Sequence, residues 1–189
     1  MRLLLLAGLA LICAGCEHHE ASVEFRPTAS FQEVMLSIID PVADQLWDSV
    51  STEITKSGVE EKQPRTDEEW AAVRHQAVTL SEAANLLLIE GRPLAAPGQA
   101  LDNKADYLNP EEIGKAIDRD RPTFVARVRE FQDAAALAVV AADARTPQGV
   151  VEAGARIQQA CEQCHLRYWY PNGGPPPASA IAGKSGTAG

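Results

Sequence analysis

Val150, Ala153, Ile157, Cys161, Cys164 and Tyr168 recur at steps of three and four, bounded by Thr146-Pro147 before and Pro171 after. That spacing is one stripe of an α-helix. Proline suits a helix's first position and not its interior. The chain must therefore bury a helical face that carries two cysteines near its end. The same steps occur three more times. Met35, Ile38, Ile39, Val42, Leu46 and Val50 follow Ser30-Phe31-Gln32-Glu33, a capping box. This first helix is expected to run to about Thr55. Pro41 removes the hydrogen bond to the Ser37 carbonyl and should kink or split it, with Asp40 capping the restart. Trp70, Val73, Ala77, Leu80, Ala84 and Leu87 follow a second capping box, Thr66-Asp67-Glu68-Glu69, and that helix should stop at Gly91. Phe124, Val128, Phe131, Ala135, Ala138 and Ala142 follow Arg121-Pro122.

Between these stripes, Lys56 to Arg65 reads as a turn. Arg92 to Leu108 reads as a long crossover, leading to a short helix from Asn109-Pro110 to about Ile117. At 189 residues one domain is expected. Aromatic content is only 5% and β-branched runs are scarce, so the core should be all-α. Four amphipathic helices joined by one long crossover describe an antiparallel four-helix bundle over residues 30–171. The formal charge of −9 argues against binding nucleic acid. It could steer docking to a basic partner protein.

Chemistry concentrates in Cys161-Glu162-Gln163-Cys164-His165. C-x-x-C-H is the attachment signature of c-type haem. Each thiol adds to one vinyl group and forms a thioether. Two cysteines three apart share a helix face, so both reach one macrocycle edge. His165 is then the proximal iron ligand. A thioredoxin-like pair would want a strand before the helix, and a structural zinc would want four Cys or His ligands. The remaining cysteines, Cys13 and Cys16, sit in the N-terminal segment. His18, His19 and His75 form no paired knuckle. Because both cysteines lie on the core-facing stripe, a single haem c is expected inside the bundle.

Met1-Arg2 followed by the apolar run Leu3 to Ile12 is too short to span a bilayer as a helix and suits a signal peptide, residues 1–15. The run ends in Cys13-Ala14-Gly15-Cys16, which resembles a bacterial lipoprotein box with Cys13 where leucine is usual. That resemblance implies cleavage before Cys16 and lipidation of its thiol. Glu17 is not the aspartate that marks inner-membrane retention in many such lipoproteins, so an outer-membrane, periplasm-facing anchor is favoured. Residues 16–29 read as a flexible tether, and 172–189, rich in Gly, Pro and small residues, as a disordered tail.

A C-x-x-C-H in the last helix, within Ala160-Cys161-Glu162-Gln163-Cys164-His165-Leu166-Arg167-Tyr168, resembles the cytochrome c′ superfamily of four-helix-bundle c-type cytochromes. The likeness covers about Ser30 to Pro171. Two positions depart from the family pattern. Trp169 stands where Arg or Lys is common beside the haem histidine. Phe31 stands where an arginine precedes the distal residue by one turn. The resemblance implies one of two modes. A methionine of the first helix ligates the iron in low-spin electron carriers; a non-ligating residue there leaves a five-coordinate iron that binds nitric oxide or carbon monoxide. Met35 is the methionine that remains after export, on the apolar stripe at the matching depth, and is the candidate sixth ligand. His75 should face solvent, opposite the seam of its helix.

The expected function is therefore one-electron transfer by an exported, lipid-anchored cytochrome with a protein redox partner, five-coordinate gas binding being the alternative. Pairing of two copies into a homodimer is compatible with either. Peroxidase-type catalysis would need a distal acid–base group. With Glu33 and Asp40 read as caps, the first helix supplies none, so the chain reads as a carrier and not an enzyme.

Overall fold

A computed structural model of the chain describes residues 25–99 and 107–171. The expected signal segment, Cys13, Cys16, His18, His19 and the 172–189 tail lie outside the described residues. The fold is mostly helical with one two-stranded sheet.

Ser30 caps α1 (Phe31–Val34). Its hydroxyl accepts from the Glu33 N–H at 3.2 Å, and the Glu33 carboxylate accepts the Ser30 N–H at 2.8 Å. Pro41 does not break the chain into a capped restart. The backbone widens into a π segment, Met35–Ile39, in which the Asp40 N–H donates to the Met35 carbonyl, and then tightens into α2 (Asp40–Asp48). Asp40 keeps helical dihedrals (φ −58°, ψ −53°) and is no cap. A proline in a regular helix collides with the carbonyl four residues back, and a π turn just before it relieves that crowding. The extra residue also shifts the buried stripe. Val34, Ile39, Ala43 and Leu46 are buried, at steps of five, four and three. Met35, Ile38 and Val42, expected on the buried stripe, are half-buried against the core.

A second departure follows. The helix stops at Asp48, where the Ser49 hydroxyl donates to the Leu46 carbonyl at 2.6 Å. Ser51–Thr55 (β1) and Gly58–Lys62 (β2) then form an antiparallel hairpin, where helix and turn were expected. Ser51-Thr52-Glu53-Ile54-Thr55 is rich in β-branched residues, which lose rotamer freedom in a helix and fit a pleated strand. Lys56-Ser57 makes the turn. Gly58 sits at φ +132°, a region that glycine enters without strain.

Four further helices follow: α3 (Asp67–Leu87), α4 (Pro110–Arg119), α5 (Arg121–Asp143) and α6 (Pro147–Tyr168). Capping boxes at Thr66/Glu69 and Asn109/Glu112 open α3 and α4. The α3 helix ends at Leu87, a turn before the expected stop at Gly91. The expected seams of α3 and α5 are buried throughout. α5 packs along α3 and α6, while α2 packs on α3 and α6. Leu46, Leu80 and Ile157 are fully buried at the centre of this packing, and each contributes roughly 1.5–3 kcal/mol by leaving water. Between α2 and α6, the Trp47 indole N–H donates to the Gly154 carbonyl at 3.1 Å. Among the described residues no helix is long and apolar enough to cross a membrane.

Candidate functional site

The cysteines and His165 occupy the last two turns of α6. The helix ends because the His165 carbonyl accepts from both the Trp169 and Tyr170 N–H groups, at 2.8 and 3.0 Å. The end is anchored in turn. The Leu108 N–H donates to the Trp169 carbonyl at 2.8 Å, and the Tyr170 hydroxyl donates to Glu162 at 2.9 Å. The His165 ring is flanked by ring edges, with Trp169 at 5.4 Å and Tyr170 at 6.1 Å between centroids. Trp169, the residue found in place of a basic neighbour, thus packs beside the candidate ligand.

Cys161, Cys164, His165 and Met35 line one cleft of about 300 Å³ between α6 and the first helical segment. Its floor is apolar, with Ile39, Leu87, Val128, Phe131 and Ala160. A smaller apolar cleft of about 50 Å³ shares Met35, Cys164 and His165 with it, and reaches to Phe31, Phe124 and Trp169. The two clefts therefore have those three residues in common. The rings of Phe31, Phe124 and Tyr168 meet edge to face at 6.1 and 5.6 Å, so Phe31 is an aromatic packing residue.

Burial sets the protonation of the site. It pushes the Cys161 thiol up to about 12, with nearby Asp40 adding to the effect, and the Cys164 thiol to about 11, with Arg127 opposing. A redox pair needs an accessible low-pKa thiolate; these are protonated thiols in an apolar wall, and no disulfide joins them. Burial also lowers the His165 imidazole below its ordinary value, with Glu162 opposing, so the ring is neutral and can offer a nitrogen lone pair. Among the described residues no cluster of three or more His, Cys, Asp or Glu side chains could hold a metal ion. The donor set fits a covalently tethered haem. Two thiols share one cleft with a neutral imidazole and a thioether from the first helical segment, over an apolar floor. His75 is exposed on α3, away from this group.

Four lining residues were not anticipated. Asp40, expected to cap a helix, lines the cleft together with Asp44. Burial, and then the Asp44 charge, raise the Asp40 carboxyl above its usual range. The first helical segment therefore does bring carboxylates to the cleft, contrary to expectation. The missed signal was the i, i+4 spacing of Asp40, Asp44 and Asp48. Arg127 of α5 reaches the cleft while donating to Glu130 at 2.7 Å and Gln163 at 2.6 Å. Trp47 lines it as well. Neither Arg127 nor Trp47 carried a sequence signal, since each depends on how two helices meet. Comparison of the chain with protein-family models, curated proteins and solved structures finds no match.

Proposed function

We propose that this chain is an exported c-type cytochrome that carries single electrons. In this reading the long helices form a four-helix bundle around one haem c, as its resemblance to the cytochrome c′ superfamily implies. The observation that carries it is the convergence of Cys161, Cys164, His165 and Met35 on one apolar cleft. Haem, when bound, supplies the one-electron couple. Cys161 and Cys164 would each add across one vinyl group, the thiol hydrogen passing to a vinyl carbon as the C–S bond forms, so both buried thiols would be consumed. His165, flanked by Trp169 and Tyr170, would offer its neutral imidazole to the iron. Met35, from the first helical segment, would offer a soft thioether, which would favour the reduced state. Ile39, Val128 and Phe131 give the cleft an apolar floor, so little would need to rearrange there when an electron arrives. Lipid attachment at Cys16 would keep the domain at a membrane surface facing the periplasm.

The test is expression with export and haem-attachment machinery, followed by acid–acetone extraction and spectroscopy. The colour should stay with the polypeptide. The oxidised protein should show the far-red methionine-to-iron band and take up no carbon monoxide when reduced. Release of free haem rejects the covalent assignment. A high-spin spectrum with ready carbon monoxide uptake would instead make Met35 a packing residue and support gas binding.

A further inference from the structure

We propose that Gln32 and Trp169 hold one of the two propionic acid side chains of the haem, in the smaller cleft beside His165. The inference deepens the cytochrome reading and rests on it. Buried polar atoms in folded proteins nearly always have a hydrogen-bond partner, and each one without a partner calls for an explanation. Among the described residues three buried side-chain polar atoms have none: Gln32 Oε1, Gln76 Oε1 and Trp169 Nε1. Gln76 lies on α3, away from the clefts. The other two belong to residues that line the same cleft of about 50 Å³, the one that shares Met35, Cys164 and His165 with the larger cleft.

The two atoms have complementary needs. The Trp169 indole is a donor only, and the Gln32 amide oxygen is an acceptor. A carboxyl group in its acid form carries one of each: its O–H can donate to Gln32, and its carbonyl oxygen can accept from Trp169. The cleft also favours that form. Phe31, Leu94, Ile113, Ile117 and Phe124 make its walls apolar, and among the described residues no Asp, Glu, Lys or Arg lines it to pair with a carboxylate. Both residues are held in place. The Gln32 backbone N–H donates to the Leu94 carbonyl at 3.1 Å, and the Trp169 ring meets Tyr107 edge to face at 6.4 Å as well as His165. A lone water would also offer a donor and an acceptor, but a buried water typically makes about three hydrogen bonds, and these walls supply only two orphaned groups. A haem tethered at Cys164 and ligated by His165 brings its own carboxyl groups to the cleft that those two residues line.

The haem-loaded wild type, Trp169→Phe and Gln32→Leu are compared by resonance Raman spectroscopy. Phenylalanine keeps an aromatic ring beside His165 and leucine keeps an apolar bulk, so each variant chiefly removes one hydrogen-bonding group. The propionate bending mode should move to lower frequency in both variants and furthest in the double variant, while the porphyrin modes that report coordination stay in place. A propionate mode unchanged in both would overturn the proposal. A crystal structure of the wild-type holoprotein should place one propionic side chain about 3 Å from both the Trp169 indole nitrogen and the Gln32 amide. Both propionic side chains elsewhere, or a water or a free acid from the buffer bridging the two residues, would overturn it equally. Should Trp169→Phe fail to fold, Gln32→Leu and the crystal structure decide. Haem that stays covalent and low-spin with an unmoved propionate mode defeats this inference and leaves the cytochrome reading standing. A protein that takes up no haem defeats both.

Discussion

Single residues set how closely the helices around the cleft approach. At Gly154, a Cβ would lie 2.9 Å from the Trp47 ring carbon Cδ1 and 3.1 Å from its indole nitrogen. The ring is bulky and held by its bond to the Gly154 carbonyl, so it cannot simply swing away. Gly154→Ala should therefore force α2 and α6 apart and destabilise the fold by about 1–3 kcal/mol, despite alanine's better helix propensity. Urea unfolding measures this. A stabilised variant would mean that the indole contact is dispensable. Neither partner was legible in advance. A glycine within a helical run and a tryptophan off the apolar stripe look unremarkable until two helices are placed side by side.

At the scale of one element, the π segment is the least expected feature and the one nearest the chemistry. Met35 begins it, Pro41 follows it, and the wide turn sets the angle at which Met35 leaves the helix. Deleting Ser37, an exposed residue within the segment, should remove the extra residue and rotate Met35 by about one residue's turn, or roughly 100°. If Met35 ligates a haem as proposed, the methionine-to-iron band should then vanish, as it would in Met35→Ala, while circular dichroism keeps most of its helical signal. Retention of the band would show that Met35 is placed by packing alone. The capping boxes were readable because each lies within four consecutive residues and depends on no distant contact. Pro41 signalled a disturbance, but its form depended on the partner helices. A kink would have pulled Val34 and Ile39 from the core; a π turn keeps both buried.

For the molecule as a whole, acid should loosen the fold through its caps. Backbone hydrogen bonds from Ser30 hold Glu33 below the usual carboxylate range, and those from Arg65 and Thr66 do the same for Glu69. Groups with lowered folded pKa values contribute stability that is present above the unfolded value and lost as pH falls through the folded one. Unfolding midpoints in urea should therefore fall as pH drops from about 5 to about 3, and the double variant Glu33→Gln, Glu69→Gln should show a shallower fall. An unchanged slope in that variant would assign the acid sensitivity to other carboxylates.

By itself the sequence determined what depends on near neighbours. The helical segments, their caps, the seams of α3 and α5 and the Cys161-Glu162-Gln163-Cys164-His165 motif all follow from short-range spacing, because helix periodicity and side-chain caps act over a few residues. Tertiary structure alone decided the π turn, the meeting of Trp47 with Gly154, and the arrival of Asp40, Asp44 and Arg127 at the cleft. Each of these is a choice between local conformations of similar energy, made by contacts between segments distant in sequence. Ser51–Thr55 could extend an apolar stripe as a helix or pair as a strand. Pairing with the adjacent Gly58–Lys62, through β-branched residues and a glycine turn, made the difference, a local signal that the helical stripe reading passed over.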